Sequence, residues 1–182
     1  LQVLADLGTQ LFQGKDPTRK LLFVFESTDH FDEFDATKGS EPFILMNELA
    51  FFMNSANPSK KTKLRTFVEG WRGTPFTEDE AKAYDLEQLV GKPALLMVAH
   101  TGKVGGGTKA MLQGASRPHK DTEVPAMRGK PVCYEIGMKE GGTFTQLPPW
   151  IQKKVRESTE FTGAGAEESP FVPADGGDEN PD

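Results

Sequence analysis

Short runs of apolar residues separated by turn signals dominate the first sixty positions of the chain and predict β-strands. The clearest run covers residues 19–26, where β-branched and aromatic residues stand between polar ends. Strand-like patterns also cover residues 1–13, on both sides of Gly8, and residues 42–53. Residues 29–40 are acidic and contain a glycine, which predicts a loop. This part of the chain is therefore expected to form three strands.

The spacing of apolar residues then changes from that of a strand to that of a helix. Four large apolar residues recur three and four positions apart and predict one helix face: Leu64, Phe67, Val68 and Trp71. We expect Gly73 and Pro75 to end this helix, and the register places Trp71 in the core. Thr77 and Glu80 form a capping-box pattern, which predicts a second, short helix.

The second half of the body returns to strands and ends in a helix at residues 150–157. Two hairpins are predicted, one from residues 94–100 and 108–116 and one from residues 132–136 and 143–147. Three strands, a helical connection and a two-stranded return follow the order of the OB-fold, a five-stranded barrel. We therefore expect a mainly β fold: an OB barrel with short helices and a C-terminal hairpin–helix extension. Other small barrels and α+β sheets share this order and stay open as alternatives.

The charge of the chain is divided unevenly. The 182 residues include 21 basic and 27 acidic side chains, a net charge of −6, yet no Lys or Arg follows Arg156 and eight acidic residues do. Residues 1–156 thus hold 21 basic against 19 acidic residues, a net charge of +2. The last segment is rich in Gly and Pro and poor in large apolar residues, which predicts disorder. We divide the chain into an OB-fold domain (1–122), an extension packed on the barrel (123–156) and a disordered acidic tail (157–182).

Several kinds of chemistry are disfavoured by the residues present. No run of about 18 apolar residues occurs, so no membrane-spanning helix is expected. A single cysteine, Cys133, excludes an internal disulfide and a cysteine-based zinc site, and fits a reducing cytoplasm. Residues 102–109 superficially resemble a phosphate-binding loop, but Thr108 precedes Lys109 and a strand pattern follows. The acids at 29–35 match no metal-ligand spacing, so we expect no metal, cofactor or catalytic residue. A metal-dependent nuclease using those acids is an alternative hypothesis.

Basic residues are better organised than any catalytic motif. Two clusters surround the turns between strands 1 and 2 and between strands 4 and 5, which in an OB barrel border the binding groove, where cations attract phosphates and aromatic rings stack on bases. A third stands where the third strand meets the helix, and a fourth follows the fifth strand. Phe12, Phe23 and Phe25 are the candidate stacking rings, and Phe23 and Phe25 are the two assigned to the site. The cations expected to contact phosphates are Lys15, Arg19, Lys20, Lys60, Lys61, Lys63, Lys103, Lys109 and Arg117.

Several sequence blocks resemble a family of proteins. They are residues 6–10, 19–21, 64–65, 67–70, the Trp-Arg-Gly-Thr-Pro-Phe-Thr block at 71–77, 85–93 and 147–152. In this order they resemble bacteriophage-encoded OB-fold proteins that bind single-stranded DNA (ssDNA), and the resemblance covers most of residues 1–156. It implies sequence-independent, non-enzymatic ssDNA binding in phage replication, recombination or repair, in the cytoplasm of the host cell.

The acidic tail suggests partners other than DNA. Cellular single-strand binders are similar in carrying an acidic C-terminal segment that recruits other proteins, and Phe171 and Val172 are the apolar residues available here for such a contact. We expect the tail to recruit replication or recombination proteins and to compete with DNA for the basic groove. The alternative function is a protein-interaction accessory module, with the same barrel but no nucleic-acid affinity.

Overall fold

The structure is a computed structural model, and it describes residues 1–12, 16–32, 37, 39–54, 60–102, 106–138 and 141–162. Its strands are β1 (Val3–Gln10), β2 (Thr18–Asp32), β3 (Glu41–Ala50), β4 (Leu95–Gly102), β5 (Thr108–Ser116) and β6 (Val132–Tyr134). Its α-helices are α1 (Lys63–Arg72), α2 (Glu78–Ala83), α3 (Pro149–Arg156) and α4 (Thr159–Thr162). Short 3₁₀-helices cover Leu86–Leu89, Ile136–Met138 and Gly142–Gln146. The mainly β organisation and the order of three strands, helices and two strands are confirmed.

The strands of the described residues form two sheets. One has the order β3-β2-β1-β6, in which β1–β2 and β2–β3 are antiparallel and β1–β6 is parallel. The other is the predicted hairpin of β4 and β5. Leu112 and Ala115 of β5 belong to the same hydrophobic cluster as residues of β1, β2, β3 and α1. The two sheets therefore share one core, and no closed ring of strands is formed among the described residues.

β1 and the middle of β2 are buried on both faces of the main sheet, because a different part of the chain packs on each face there. Phe23 and Phe25 point to the face covered by α1 and β5, where Phe67 and Trp71 pack. Leu22 and Val24 point to the opposite face, which β6 of the same sheet shares and which the 3₁₀ segment at 142–146 and α3 cover. A strand buried on both sides carries a continuous apolar run, as residues 21–25 do.

The second predicted hairpin is wrong. Residues 132–134 form β6, which pairs in parallel with the start of β1 instead of with a following strand. Residues 142–146 form a 3₁₀-helix, and Phe144 and Leu147 reach the core from it. Apolar residues three positions apart fit a helical turn as well as a short strand, and two consecutive glycines at 141–142 end the strand pattern.

The predicted helices are confirmed, with local reasons for their ends. Thr62 caps α1 by accepting the Arg65 N–H at 3.1 Å, and Gly73 ends it in the left-handed conformation with φ of 78°. The capping box between Thr77 and Glu80 is present in full at the start of α2. Trp71 is 5% exposed, as its helical register predicted.

A charged network joins α1 to the corner that leads into α2. Glu69 accepts from Arg65 Nε at 3.0 Å, from Lys61 Nζ at 2.6 Å and from the Phe76 N–H at 2.9 Å. Arg65 also donates to Glu78 Oε1 at 2.6 Å. Burial opposes ionisation of Glu69, but the bonds from Lys61, Phe76 and Arg65 outweigh burial and hold its pKa below the ordinary value. This network fixes the chain before and after α1.

The end of β2 and the start of the tail lie further along the chain than the sequence predicts. β2 continues through Asp32, so the first part of the expected loop at 29–40 is strand. Residues 157–162, assigned to the tail, form a turn and α4, in which Ser158 is fully buried. Glu160 of α4 accepts the Thr9 N–H and hydroxyl, both at 2.7 Å, next to the β-bulge of β1 at Gly8. The remainder of the tail, residues 163–182, lies outside the described residues.

Candidate nucleic-acid interface

The expectation that Phe23 and Phe25 stack on bases is wrong. Their side chains are 0% and 3% exposed, and the Phe23 ring centroid lies 5.2 Å from that of Phe67. Stacking on a base requires an open ring face, and neither ring has one. Both faces of β2 are buried: α1 and β5 pack on the face that carries Phe23 and Phe25, and the C-terminal extension with α3 packs on the face that carries Leu22.

Exposed aromatic surface lies instead at the end of the main sheet where β1 ends, β2 begins and β3 ends. Phe12 is 44% exposed and Phe52 is 51% exposed, and Leu11 beside them is 60% exposed. Phe12 was a candidate ring in the sequence, whereas Phe52 was missed. The run at 42–53 was interpreted as one strand, but β3 ends at Ala50, which leaves Phe51 and Phe52 beyond the sheet.

Two of the predicted cations lie against these rings. Lys20 Nζ is 5.8 Å from the centre of the Phe12 ring, and the Arg19 guanidinium carbon is 5.0 Å from that of Phe51. The register of the sheet explains this proximity, because Lys20 pairs with Ala50 and the Phe51 N–H donates to the Arg19 carbonyl at 2.9 Å. A cation held over an aromatic ring keeps a positive charge where a phosphate could approach a stacked base.

Arg19 is also tied to the protein. Its guanidinium donates to both carboxylate oxygens of Asp6, a residue that is 2% exposed, and this hydrogen bonding raises the pKa of Arg19. The side chain nevertheless remains 49% exposed. Arg19 is thus a positioned cation with part of its donor capacity already used.

The second group of cations lies at the start of α1, close to the same end of the sheet. The Thr62 hydroxyl donates to the Met53 carbonyl at 3.1 Å, which holds the helix start next to Phe52. Lys60 and Lys63 are exposed, and among the described residues no carboxylate lies within ion-pairing distance of either. Lys61 is half-exposed and pairs with Glu69.

We call this region the basic–aromatic patch, and it is wrapped around one end of the main sheet. Its members are Leu11, Phe12, Arg19, Lys20, Phe51, Phe52, Lys60, Lys61 and Lys63.

Two other predicted cations, Lys109 and Arg117, do not join the patch. Lys109 is exposed on β5 opposite Thr101, and Arg117 follows β5 beside Gly73, at the C-terminal end of α1. Because α1 has ten residues, about 15 Å separates that end from the lysines at its start. Lys15 and Lys103 lie outside the described residues.

The β4–β5 hairpin is a second unusual surface. Leu95, Met97 and Met111 on this hairpin are 55%, 55% and 43% exposed. These long apolar side chains are a type of surface enriched at protein–protein interfaces.

Metal-ligating and thiol groups of the described residues bear on the question of catalysis. None of them form a group of three or more His, Cys, Asp or Glu side chains that could hold a metal ion. The acidic side chains of residues 29–35 fall outside that description. Burial raises the pKa of the Cys133 thiol to about 11, which disfavours the thiolate a nucleophile needs. Among the described helices, none combines the length and apolar character required to cross a membrane.

Comparison with protein-family models, curated proteins and solved structures gives no match to this chain.

Proposed function

We propose that the chain is a non-enzymatic, sequence-independent ssDNA-binding protein. The observation that carries this proposal is the basic–aromatic patch, where Phe12 and Phe52 are exposed. Lys20 lies over the Phe12 ring, and the hydrogen bond from Thr62 to Met53 brings the lysine-bearing start of α1 to the chain beside Phe52. Stacking on aromatic rings tolerates any base, and lysines contact phosphates without reading sequence. An exposed ring beside an unpaired cation supplies both kinds of contact.

The proposal includes an OB-type barrel as the scaffold. The shared core of the two sheets and the position of α1 between β3 and β4 support it. In such a barrel the face of strands 2 and 3 often binds the nucleic-acid strand, but here the 3₁₀ segment at 142–146 and α3 cover the outer face of β2. We place the DNA at the end of the sheet instead, where the covering segments leave the aromatic side chains open.

The biological setting is a further part of the proposal: phage replication, recombination or repair in the host cytoplasm, with the acidic tail recruiting the replication or recombination proteins. The tail would also compete with DNA for the basic–aromatic patch, because eight acids follow a body of net charge +2. The competition is tested by deleting residues 163–182, which leaves the packed α4 in place. Affinity for ssDNA at low salt should rise, and an unchanged affinity would contradict the competition.

The ssDNA proposal is tested by removing exposed rings one at a time. Phe12→Ala and Phe52→Ala should each weaken binding to an oligo-dT by roughly 5- to 150-fold, because base stacking on one ring is worth about 1–3 kcal/mol. Phe43→Ala is the matched control, since Phe43 is a 39% exposed phenylalanine at the start of β3. Equal affinities for all three variants and the unmodified protein would refute the patch as the DNA site.

The exposed β4–β5 hairpin favours a second candidate function, the protein-interaction accessory module. On that hypothesis Leu95, Met97 and Met111 contact a replication or recombination protein, and the chain has no affinity for DNA. Salt-sensitive binding of ssDNA separates the two functions, because only the first requires it.

A further inference from the structure

A cleft of about 890 Å³ lies between the α1–α2 corner and the segment that follows β5. Trp71 and Phe76 line it and are each 5% exposed, and Tyr84 lies at an intermediate depth. Arg117 also lines this cleft, at the end of α1 away from the basic–aromatic patch. The cleft shares no residue with the patch, so it is a separate candidate site.

The cleft has an excess of positive charge. Its ionisable lining residues are Arg72, Lys92, Arg117, His119 and Lys120, against the two acids Glu80 and Asp85. Both acids are already engaged: Glu80 accepts from Arg72 and from the Thr77 N–H, and Asp85 accepts from the Glu87 N–H at 2.9 Å. Among the described residues, no carboxylate pairs with Lys92, Arg117 or Lys120. These cations are available to an anion from outside.

Arg72 has hydrogen-bonding capacity that the described residues do not use. Its guanidinium carbon lies 4.5 Å from the centre of the Phe76 ring, and Nη2 donates to Glu80 at 3.3 Å. Nη1 is buried and has no partner within the described part of the chain. A buried donor without a partner is destabilising, so an anion that reached it would gain a charge-assisted hydrogen bond.

We propose that this cleft binds a nucleoside 5′-phosphate, either free or as the terminal nucleotide of a DNA strand. Arg72, Arg117 and Lys120 provide the charges for a doubly negative phosphomonoester, and Tyr84 provides an aromatic surface for the base. The volume lies in the range of small-molecule sites, which suits one or two nucleotides and not a long strand. The inference does not depend on ssDNA binding at the patch.

The test is calorimetric titration of the full chain with dTMP, thymidine and inorganic phosphate. We expect dTMP to bind at least about tenfold more tightly than thymidine, because the phosphate supplies the charge-assisted hydrogen bonds. Arg117→Gln should weaken dTMP binding about tenfold, and Tyr84→Leu should weaken it while leaving the affinity for inorganic phosphate unchanged. Lys82→Gln is the matched control, because Lys82 is an exposed cation on α2 that does not line the cleft.

Two oligo-dT strands, one with a 5′-phosphate and one with a 5′-hydroxyl, distinguish a free nucleotide from the terminal nucleotide of a DNA strand. Tighter binding of the phosphorylated strand, lost in Arg117→Gln, assigns the cleft to strand ends; equal binding of the two strands alongside tight dTMP binding assigns it to free nucleotides. The proposal is overturned if dTMP binds no more tightly than thymidine and the 5′-phosphorylated oligo-dT binds no more tightly than the 5′-hydroxyl strand. It is also overturned if Arg117→Gln binds dTMP like the unmodified chain. This variant is chosen because the Arg117 side chain is exposed.

Discussion

Substitution of Phe23 tests whether this ring is part of the core or stacks on DNA bases, because the sequence alone makes it a stacking candidate. The side chain is 0% exposed, and its ring packs 5.2 Å from Phe67 and 6.5 Å from Phe25. Phe23→Ala removes a fully buried ring and leaves a cavity, which costs about 3–5 kcal/mol of unfolding free energy. With a urea dependence of about 2 kcal/mol per molar, the unfolding midpoint should fall by roughly 2 M.

Phe12→Ala is the comparison, because Phe12 is 44% exposed. We expect its unfolding free energy to change by less than about 1 kcal/mol, since it leaves no core cavity. The two variants should therefore show opposite effects: Phe23→Ala lowers stability and retains ssDNA affinity, whereas Phe12→Ala retains stability and loses affinity.

The assay combines urea unfolding followed by circular dichroism with oligo-dT binding measured well below the unfolding transition. Domains of this size have about 5–15 kcal/mol of stability, so Phe23→Ala should remain folded in buffer. The reasoning is refuted if Phe23→Ala costs less than about 1 kcal/mol and weakens ssDNA binding as much as Phe12→Ala does.

Three further predictions follow from single residues. Glu69→Gln should cost about 1–3 kcal/mol in urea unfolding. Because the folded pKa of Glu69 is lowered, its contribution is present above pH 4.5 and is lost as the pH falls further, so the variant should show a smaller loss of stability on acidification. Gly8→Ala should lower the melting temperature far more than Gly39→Ala: both glycines have φ near +70°, but only at Gly8 would the new Cβ lie 2.6 Å from Ser158. Cys133 should react with a thiol reagent at pH 8 far more slowly in the folded protein than after unfolding, since burial raises its pKa to about 11.

Short-range sequence patterns predicted the helices and the hairpin whose formation depends on residues close together in the chain. The helical spacing from Leu64 to Trp71 and the capping box at Thr77 depend on side chains within one or two turns, and the structure contains both features. The β4–β5 hairpin is likewise formed by neighbouring segments around a glycine-rich turn.

Features that depend on distant parts of the chain were missed. β6 pairs in parallel with β1 across more than a hundred residues, and no short-range pattern specifies that partner. Phe23 and Phe25 are buried by α1 and β5, and α3 covers the opposite face of β2, so the burial of both faces depends on segments far along the chain. A sequence signal did exist, because residues 21–25 are apolar without interruption and do not alternate with polar residues.

The candidate site was predicted in part. The positions of Arg19, Lys20 and the lysines at 60–63 were identified from charge clustering, and the register of β2 with β3 brings these two groups to one end of the sheet. Phe52 was missed because the end of β3 at Ala50 is not marked by Gly or Pro. Arg117 was assigned to the same surface, but the length of α1 separates it from the patch.

The central claim is tested most directly by fluorescence anisotropy of a labelled oligo-dT and of a duplex of equal length, each at low and high salt. We predict tighter binding to the oligo-dT. The logarithm of the association constant should fall with the logarithm of the salt concentration, with a slope of about −2 to −3, as expected if three or four patch cations contact phosphates. Equal affinity for oligo-dT and duplex, or no binding to either at low salt after residues 163–182 are removed, would contradict ssDNA binding and favour the protein-interaction module.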